Sequence, residues 1–197
     1  SFALFLFCGM VPWIAFSEGL GRSTNIILEN SNLIKKAIFP SEILPLSIVL
    51  SSIISELIGL GLLFIAIVAS THSLSPIILL LPFVIFLQFM LTLGLAWILA
   101  SINAFIKDVG QMISVILTLW FFLTPIVYPA SMIPERFRVF LLFNPMAIII
   151  EAYRSLLLSG ESPPLPSTMA LIFFSSTAFM AGNALFMRMK KSFADVI

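Results

Sequence analysis

The stretch NSNLIKKAIFPSEILP, residues 30–45, decides how the chain folds, because it is a short amphipathic segment wedged between two apolar runs. Asn30, Ser31 and Asn32 offer N-cap oxygens, Leu33, Ile34, Ala37 and Ile38 recur at helical spacing, and Pro40 stops the turn. So short a helix is marginal alone and needs a partner surface. Residues 30–40 therefore read as a cytoplasmic docking piece.

Outward from this segment the chain belongs in lipid. Of its 197 residues 60% are hydrophobic and only 10% charged, and the mean hydropathy is +1.17, a balance that soluble domains rarely show. A bilayer core of roughly 30 Å takes about 20 apolar residues in a helix. Five windows reach that length, at 1–28, 43–70, 76–106, 109–128 and 167–187, and predict an all-α integral membrane protein, a polytopic helical bundle. Charges collect at the joints because an unpaired charge at mid-depth costs several kcal/mol. Alternation of sides groups Lys107, Arg188, Lys190 and Lys191, with the tail 188–197, beside Lys35 and Lys36. Arg136, Arg138 and Arg154 fall opposite, offset by Glu135, Glu151 and Glu161. The positive-inside rule then puts the Lys35 joint in the cytoplasm. The chain opens with Ser1 and is apolar from Phe2 to Phe16 without a basic lead, which is no signal peptide. With the first window running inward, an even number of spans requires one more helix upstream.

Several function classes drop out. A net charge of +1 gives no field for nucleic acid. Cys8 is the sole cysteine and reads as a small buried hydrophobe. His72 is the sole histidine, in a short external loop, so neither a metal cluster nor a Ser/His/Asp arrangement can be built around it. No phosphate-binding Gly-x-x-x-x-Gly-Lys-Ser/Thr loop occurs, so an ATPase engine, if needed, is another polypeptide. Neither catalytic nor metal-ligating residues are assigned.

The external connection 129–164 holds two apolar pieces too short to cross, Phe137 to Phe143 and Met146 to Leu158, separated by Asn144-Pro145. It reads either as a re-entrant helical hairpin at the outer mouth of a path or as a lid that caps the bundle. Glu151 and Arg154, three apart, can pair as a gate or as simple neutralisation. Inside the spans, Glu18 precedes Arg22 by four, the favourable order for a helical ion pair. Glu56 has no partner nearby in sequence and reads as a proton-coupling group or as hydrogen-bonded inside the bundle to a Ser, Thr or Asn of another helix. Trp13, Phe16, Trp97, Trp120, Phe121 and Phe122 lie away from the expected interface belts, where they could stack on sugar rings in a lumen or serve helix packing.

In order along the chain, Gly9-Met10-Val11-Pro12-Trp13, Asn32-Leu33-Ile34-Lys35-Lys36, Phe39-Pro40, Leu44-Pro45, Lys107-Asp108-Val109, Thr124-Pro125-Ile126-Val127-Tyr128, Asn144-Pro145 and the tail Phe193-Ala194-Asp195-Val196-Ile197 resemble the permease subunits of type 2 ABC transporters. Within that family the likeness is to exporters of polysaccharide and polyol phosphate, which move O-antigen, capsule or teichoic acid chains. The resemblance implies six spans per subunit, five of them visible here, with an N-terminal amphipathic helix and the first span missing. It implies a cytoplasmic coupling helix in which Asn30, Asn32, Leu33, Ile34, Lys35, Lys36 and Phe39 meet a nucleotide-binding ATPase subunit. That subunit would hold ATP and Mg, and this chain no cofactor. It implies a homodimer in the bacterial inner membrane carrying a lipid-linked glycan, with Trp13, Phe16, Trp97, Trp120 and Phe121 as path residues. Asn144, Pro145, Glu151 and Arg154 would belong to an outer gate. A permease for a drug or small lipid, an ion-coupled carrier using Glu56, and a membrane glycosyltransferase are the rival readings.

Overall fold

The computed structural model describes residues 2–36, 40–71, 75–129 and 132–193. Ala37, Ile38, Phe39 and His72 lie outside the described residues, as do the side chains of Lys36, Glu135, Phe137 and Arg138. In chain order the helices are α1 (Phe2–Glu29), α2 (Ser31–Lys36), α3 (Ile43–Thr71), α4 (Leu81–Phe105, entered through a 3₁₀ turn at Pro76–Leu80), α5 (Val109–Leu123), α6 (Glu135–Leu141), α7 (Pro145–Arg154) and α8 (Leu165–Met189). Among the described residues, α1, α3, α4 with its 3₁₀ lead, and α8 are long and apolar enough to cross a membrane.

Local chemistry sets the boundaries. Ser75 caps the 3₁₀ turn by accepting from the Ile77 N–H, with Pro76 in the first helical position, where a missing N–H costs nothing. Pro12 sits inside α1 without ending it. The apolar window 109–128 is helical only as far as Leu123, a length of about 22 Å against the roughly 30 Å of a bilayer core. The cause is Pro125, which drives Thr124 into an extended conformation (φ −102°, ψ 133°) and breaks the helix.

Packing is closest where α4 crosses α8. A Cβ built on Gly94 would lie 2.3 Å from the backbone carbonyl of Ala178, and one on Gly182 would lie 2.1 Å from the Gly94 oxygen. Backbones that touch in this way need residues without side chains, the usual means of helix association in lipid. The long helix α1 lies between α3 and α4, burying Trp13, Phe16, Leu20 and Ile27. By contrast α5 buries only Ile113 and Leu117 and leaves Met112, Val115, Leu119 and Phe122 exposed.

One end of the bundle is fastened by polar contacts. Asn103 Nδ2 donates to the Thr24 carbonyl at 2.9 Å and to Asn25 Oδ1 at 3.0 Å, while its own Oδ1 accepts from the Gly110 N–H at 2.6 Å. Lys190 Nζ meets Glu42 Oε2 at 2.5 Å, and Trp97 Nε1 donates to the Glu42 carbonyl at 3.2 Å. These contacts gather the end of α1, the start of α3, the ends of α4 and α8 and the start of α5 on the side that carries α2.

Candidate functional site

The ten-residue helix α7 is the most enclosed. In α7, Met146 to Ile150, Ala152, Tyr153 and Arg154 are all buried, against α1, α4 and α8. Its start is built by Asn144-Pro145, as the sequence break suggests. Asn144 Oδ1 caps the helix by accepting from the Met146 and Ala147 N–H groups, and Pro145 takes the first position. The same oxygen accepts from Trp120 Nε1 at 3.0 Å, and Asn144 Nδ2 donates to Thr124 Oγ1 at 3.0 Å. One amide thus caps α7 and pins it to the end of α5. The far end of α7 runs into a π turn, Ser155–Ser159, closed by Gly160 at φ +66°. A Cβ on Gly160 would stand 3.0 Å from Ser75 Cβ, in the joint between α3 and α4. The pair α6–α7 therefore has its half-buried Asn144-Pro145 tip beside the end of α5 and its exit at the α3–α4 joint.

Arg154 is 4% exposed, and among the described residues its ion pair is the long one to Glu151, 4.0 Å away and itself exposed. Its guanidinium donates instead to the Pro125 carbonyl at 2.7 Å and the Ile126 carbonyl at 2.6 Å, two acceptors freed by the break after α5. It also lies 3.6 Å from the Phe5 ring centroid, a cation–π contact. Gly9 makes room for it, since a Cβ there would come within 2.9 Å of a guanidinium nitrogen. Asn144 and Arg154 thus clamp α7 to both sides of the α5 break.

A second set of bonds ties α7 to the spanning helices. Glu56, 2% exposed, lies 13 residues beyond Ile43, about 20 Å along α3. Tyr153 Oη is 2.5 Å from Glu56 Oε1 and 3.1 Å from Gln88 Oε1, and Gln88 Nε2 donates to Glu56 Oε2 at 2.9 Å and to the Pro12 carbonyl at 3.1 Å. The partners of Glu56 inside the bundle are Gln88 and Tyr153 in place of the Ser, Thr or Asn that the sequence suggests. Gln88, the lone amide in the run Leu81–Ser101, carried a signal that hydropathy alone passes over.

The aromatic residues separate into two groups. Trp13, Phe16, Trp120 and Phe121 form one cluster between α1 and α5, with ring centroids 5.7 Å (Trp13–Phe16), 5.6 Å (Trp13–Phe121) and 5.2 Å (Phe16–Trp120) apart. Trp13 and Phe16 are buried, whereas Trp120 and Phe121 are half-buried. Beside them a cavity of about 320 Å³ at the hairpin tip is lined by Trp120, Leu123, Phe140, Phe143 and Asn144. Trp97 is elsewhere, buried against Phe179 of α8 with centroids 5.3 Å apart.

In the docking segment, α2 is helical over Ser31–Lys36, with the Leu33 and Ile34 N–H groups bonded to the Asn30 carbonyl. The Asn30 side chain departs from the expected N-cap, since its Nδ2 donates back to the Ile26 carbonyl at 2.9 Å and so closes α1. Asn32 and Lys35 face outward, Ile34 packs against the core, and Leu33 is 48% exposed at the end of the bundle. The Glu18–Arg22 pair forms as its spacing foretells, at 2.7 Å.

The chain matches the ABC-2 type transporter family over residues 2–158. It is 32% identical over 199 residues to the O-antigen export system permease protein RfbA of Myxococcus xanthus, covering all of this chain and 76% of that protein. A protein of the same name from Klebsiella pneumoniae is 30% identical over 200 residues, with the same coverage. The polysialic acid transport protein KpsM of Escherichia coli is 24% identical over 187 residues, covering 94% of this chain and 72% of that one.

Proposed function

Because the chain belongs to the ABC-2 type transporter family, we propose that it is the permease subunit of an ATP-driven exporter that carries a lipid-linked polysaccharide across the inner membrane of a bacterium. The observation that carries this reading is α2, a short helix between two spanning helices that turns Leu33 outward where the surrounding joints are polar and basic. An apolar residue presented in this way suits a helix-in-groove contact. A separate nucleotide-binding subunit holding ATP and Mg would take Asn30, Asn32, Leu33, Ile34, Lys35, Lys36 and Phe39, and α3, continuous with that segment, would carry its motion into the bundle.

The exposed row Met112, Val115, Leu119 and Phe122 on α5 follows a heptad-like spacing and supports a second copy of the chain on that face. A path between the copies would pass Trp120 and Phe121, with Trp13 and Phe16 behind them as the packed wall on which sugar rings stack. Trp97 is left to helix packing. The α6–α7 pair, with Asn144, Pro145, Glu151 and Arg154, would form the outer gate. Names of the relatives point to O-antigen or capsule-type chains as cargo.

The test is a cysteine at Lys35 in the full-length protein, crosslinked to its cognate ATPase subunit in membranes, together with glycan export by Leu33→Asp. A specific crosslink and loss of ATP-coupled export with intact folding are expected. Absence of any ATPase contact, or export by Leu33→Asp equal to wild type, overturns the reading.

A further inference from the structure

The contacts around Glu56 contain a proton count. Four close approaches are present, Tyr153 Oη to Glu56 Oε1, Tyr153 Oη to Gln88 Oε1, Gln88 Nε2 to Glu56 Oε2 and Gln88 Nε2 to the Pro12 carbonyl. Tyr153 has one hydroxyl proton and Gln88 two amide protons, which make three of these into hydrogen bonds and leave the fourth as two facing oxygens. Turning the Gln88 amide does not help, because its oxygen would then face the Pro12 carbonyl. A proton on Glu56 completes the set: the acid donates to Tyr153, Tyr153 donates to Gln88 Oε1, and Gln88 donates back to Glu56 Oε2 and outward to Pro12. The result is a closed ring of three hydrogen bonds with every polar atom satisfied, the condition a buried network requires.

Charge accounting leads to the same state. An ionised carboxylate needs a cation or several donors when it leaves water. Glu56 is 2% exposed, and among the described residues no ion pair reaches it. From α7 Tyr153 brings only a hydroxyl, and the adjacent Arg154 is turned away to Pro125 and Ile126; α4 brings Gln88, whose amide also donates to the Pro12 carbonyl of α1; and Glu18 of α1 shares its groove already paired with Arg22.

We propose that Glu56 is a proton-binding site, held as the neutral acid in a ring with Tyr153 and Gln88 for as long as α7 is seated in the bundle. Exchange has a route. A groove of about 130 Å³ between α1 and α3 has mostly apolar walls, Val11, Ile14 and Ala15 among them, but also reaches Glu18, Ser52, Ser55 and Glu56, four polar side chains in a space wide enough for a few waters at about 30 Å³ each. The ring joins α7 to α1, α3 and α4 at once, so unseating α7 opens it and exposes the acid, which then releases its proton to water. The consequence for gating rests on the permease reading above; the proton site itself does not.

The experiment is infrared difference spectroscopy on H/D exchange of the full-length protein in lipid nanodiscs, without ATP or glycan. Wild type is expected to show the carbonyl stretch of a protonated carboxylic acid, lost in Glu56→Gln and displaced in Tyr153→Phe. Glu56→Gln is expected to melt with wild type, since its amide can donate to Tyr153 and accept from Gln88, while Glu56→Ala melts earlier. A wild-type spectrum whose carboxylic band is unchanged in Glu56→Gln, or unmoved in Tyr153→Phe, overturns the proposal whatever the transport assay gives. Loss of the band with absent ATPase contact leaves the proton site standing and removes the exporter reading alone.

Discussion

The α4–α8 crossing and the seat of α7 are both buried, yet they are held by opposite means. At the crossing Gly94 and Gly182 bring backbone against backbone. Around α7 the ties are polar, through Asn144, Tyr153 and Arg154, to α5 on one side and to α1, α3 and α4 on the other. Backbone contact has one geometry and no substitute partner, which suits a fixed frame. Hydrogen bonds to hydroxyls and carbonyls can be exchanged for others, which suits an element that leaves its seat and returns.

The largest effect is expected at the frame. Gly94→Leu cannot be accommodated beside the Ala178 carbonyl without separating α4 from α8, and the protein should fail to accumulate as a monodisperse species on size-exclusion chromatography in detergent. A folded Gly94→Leu with wild-type melting would erase the distinction between frame and seat. Next comes Arg154→Met, which leaves the Pro125 and Ile126 carbonyls without donors at about 1–3 kcal/mol each. Here the frame should persist while α7 loosens, read as maleimide labelling of a cysteine placed at the buried Ile150; labelling no faster than in the Arg154 parent would show that the clamp is not what seats the helix.

A smaller shift is expected from the tie between Glu42 and Lys190. Burial raises the Glu42 carboxyl, but the hydrogen bond from Lys190, one from its own backbone N–H and the Lys190 charge together outweigh it and hold the group below the usual carboxylate range. A depressed value means that this contribution is present above the usual carboxylate pKa and disappears as pH falls through the folded one. Glu42→Gln should therefore lower the melting temperature slightly at neutral pH and match wild type in acid, the pair being half-exposed and worth about 1 kcal/mol or less. A difference that grew on acidification would have the wrong sign. The smallest structural effect belongs to Leu33→Asp, which is exposed and should leave stability within about 0.5 kcal/mol of wild type. On the proposed reading its consequence is confined to ATP-coupled export.

What was legible in the sequence depended on range. The windows of α1, α3, α4 and α8 follow from length and apolarity, which lipid enforces locally, and the Glu18–Arg22 pair and the Asn144-Pro145 tip are contacts within a turn or two. The shortfall of α5 was written in Thr124-Pro125, yet a hydropathy window averages over that break. The partners of Glu56 were out of reach, since Gln88 is 32 and Tyr153 is 97 residues away. Aromatic residues behave likewise. Trp13 and Trp97 look alike in sequence, and only the neighbouring helices decide that one joins Phe16 and Phe121 and the other lies against Phe179.

The brevity of α5 bears on the membrane itself. A helix of about 22 Å beside a slab of roughly 30 Å leaves a mismatch near 8 Å, which lipid meets by thinning. Leu123, 71% exposed at the end of that helix and outside the row offered to a second copy, marks where acyl chains would be drawn down toward the Asn144-Pro145 tip. There the headgroups of the outer leaflet would stand closest to the inner one, and on the exporter reading proposed above a hydrophilic polymer would have the least oil to cross.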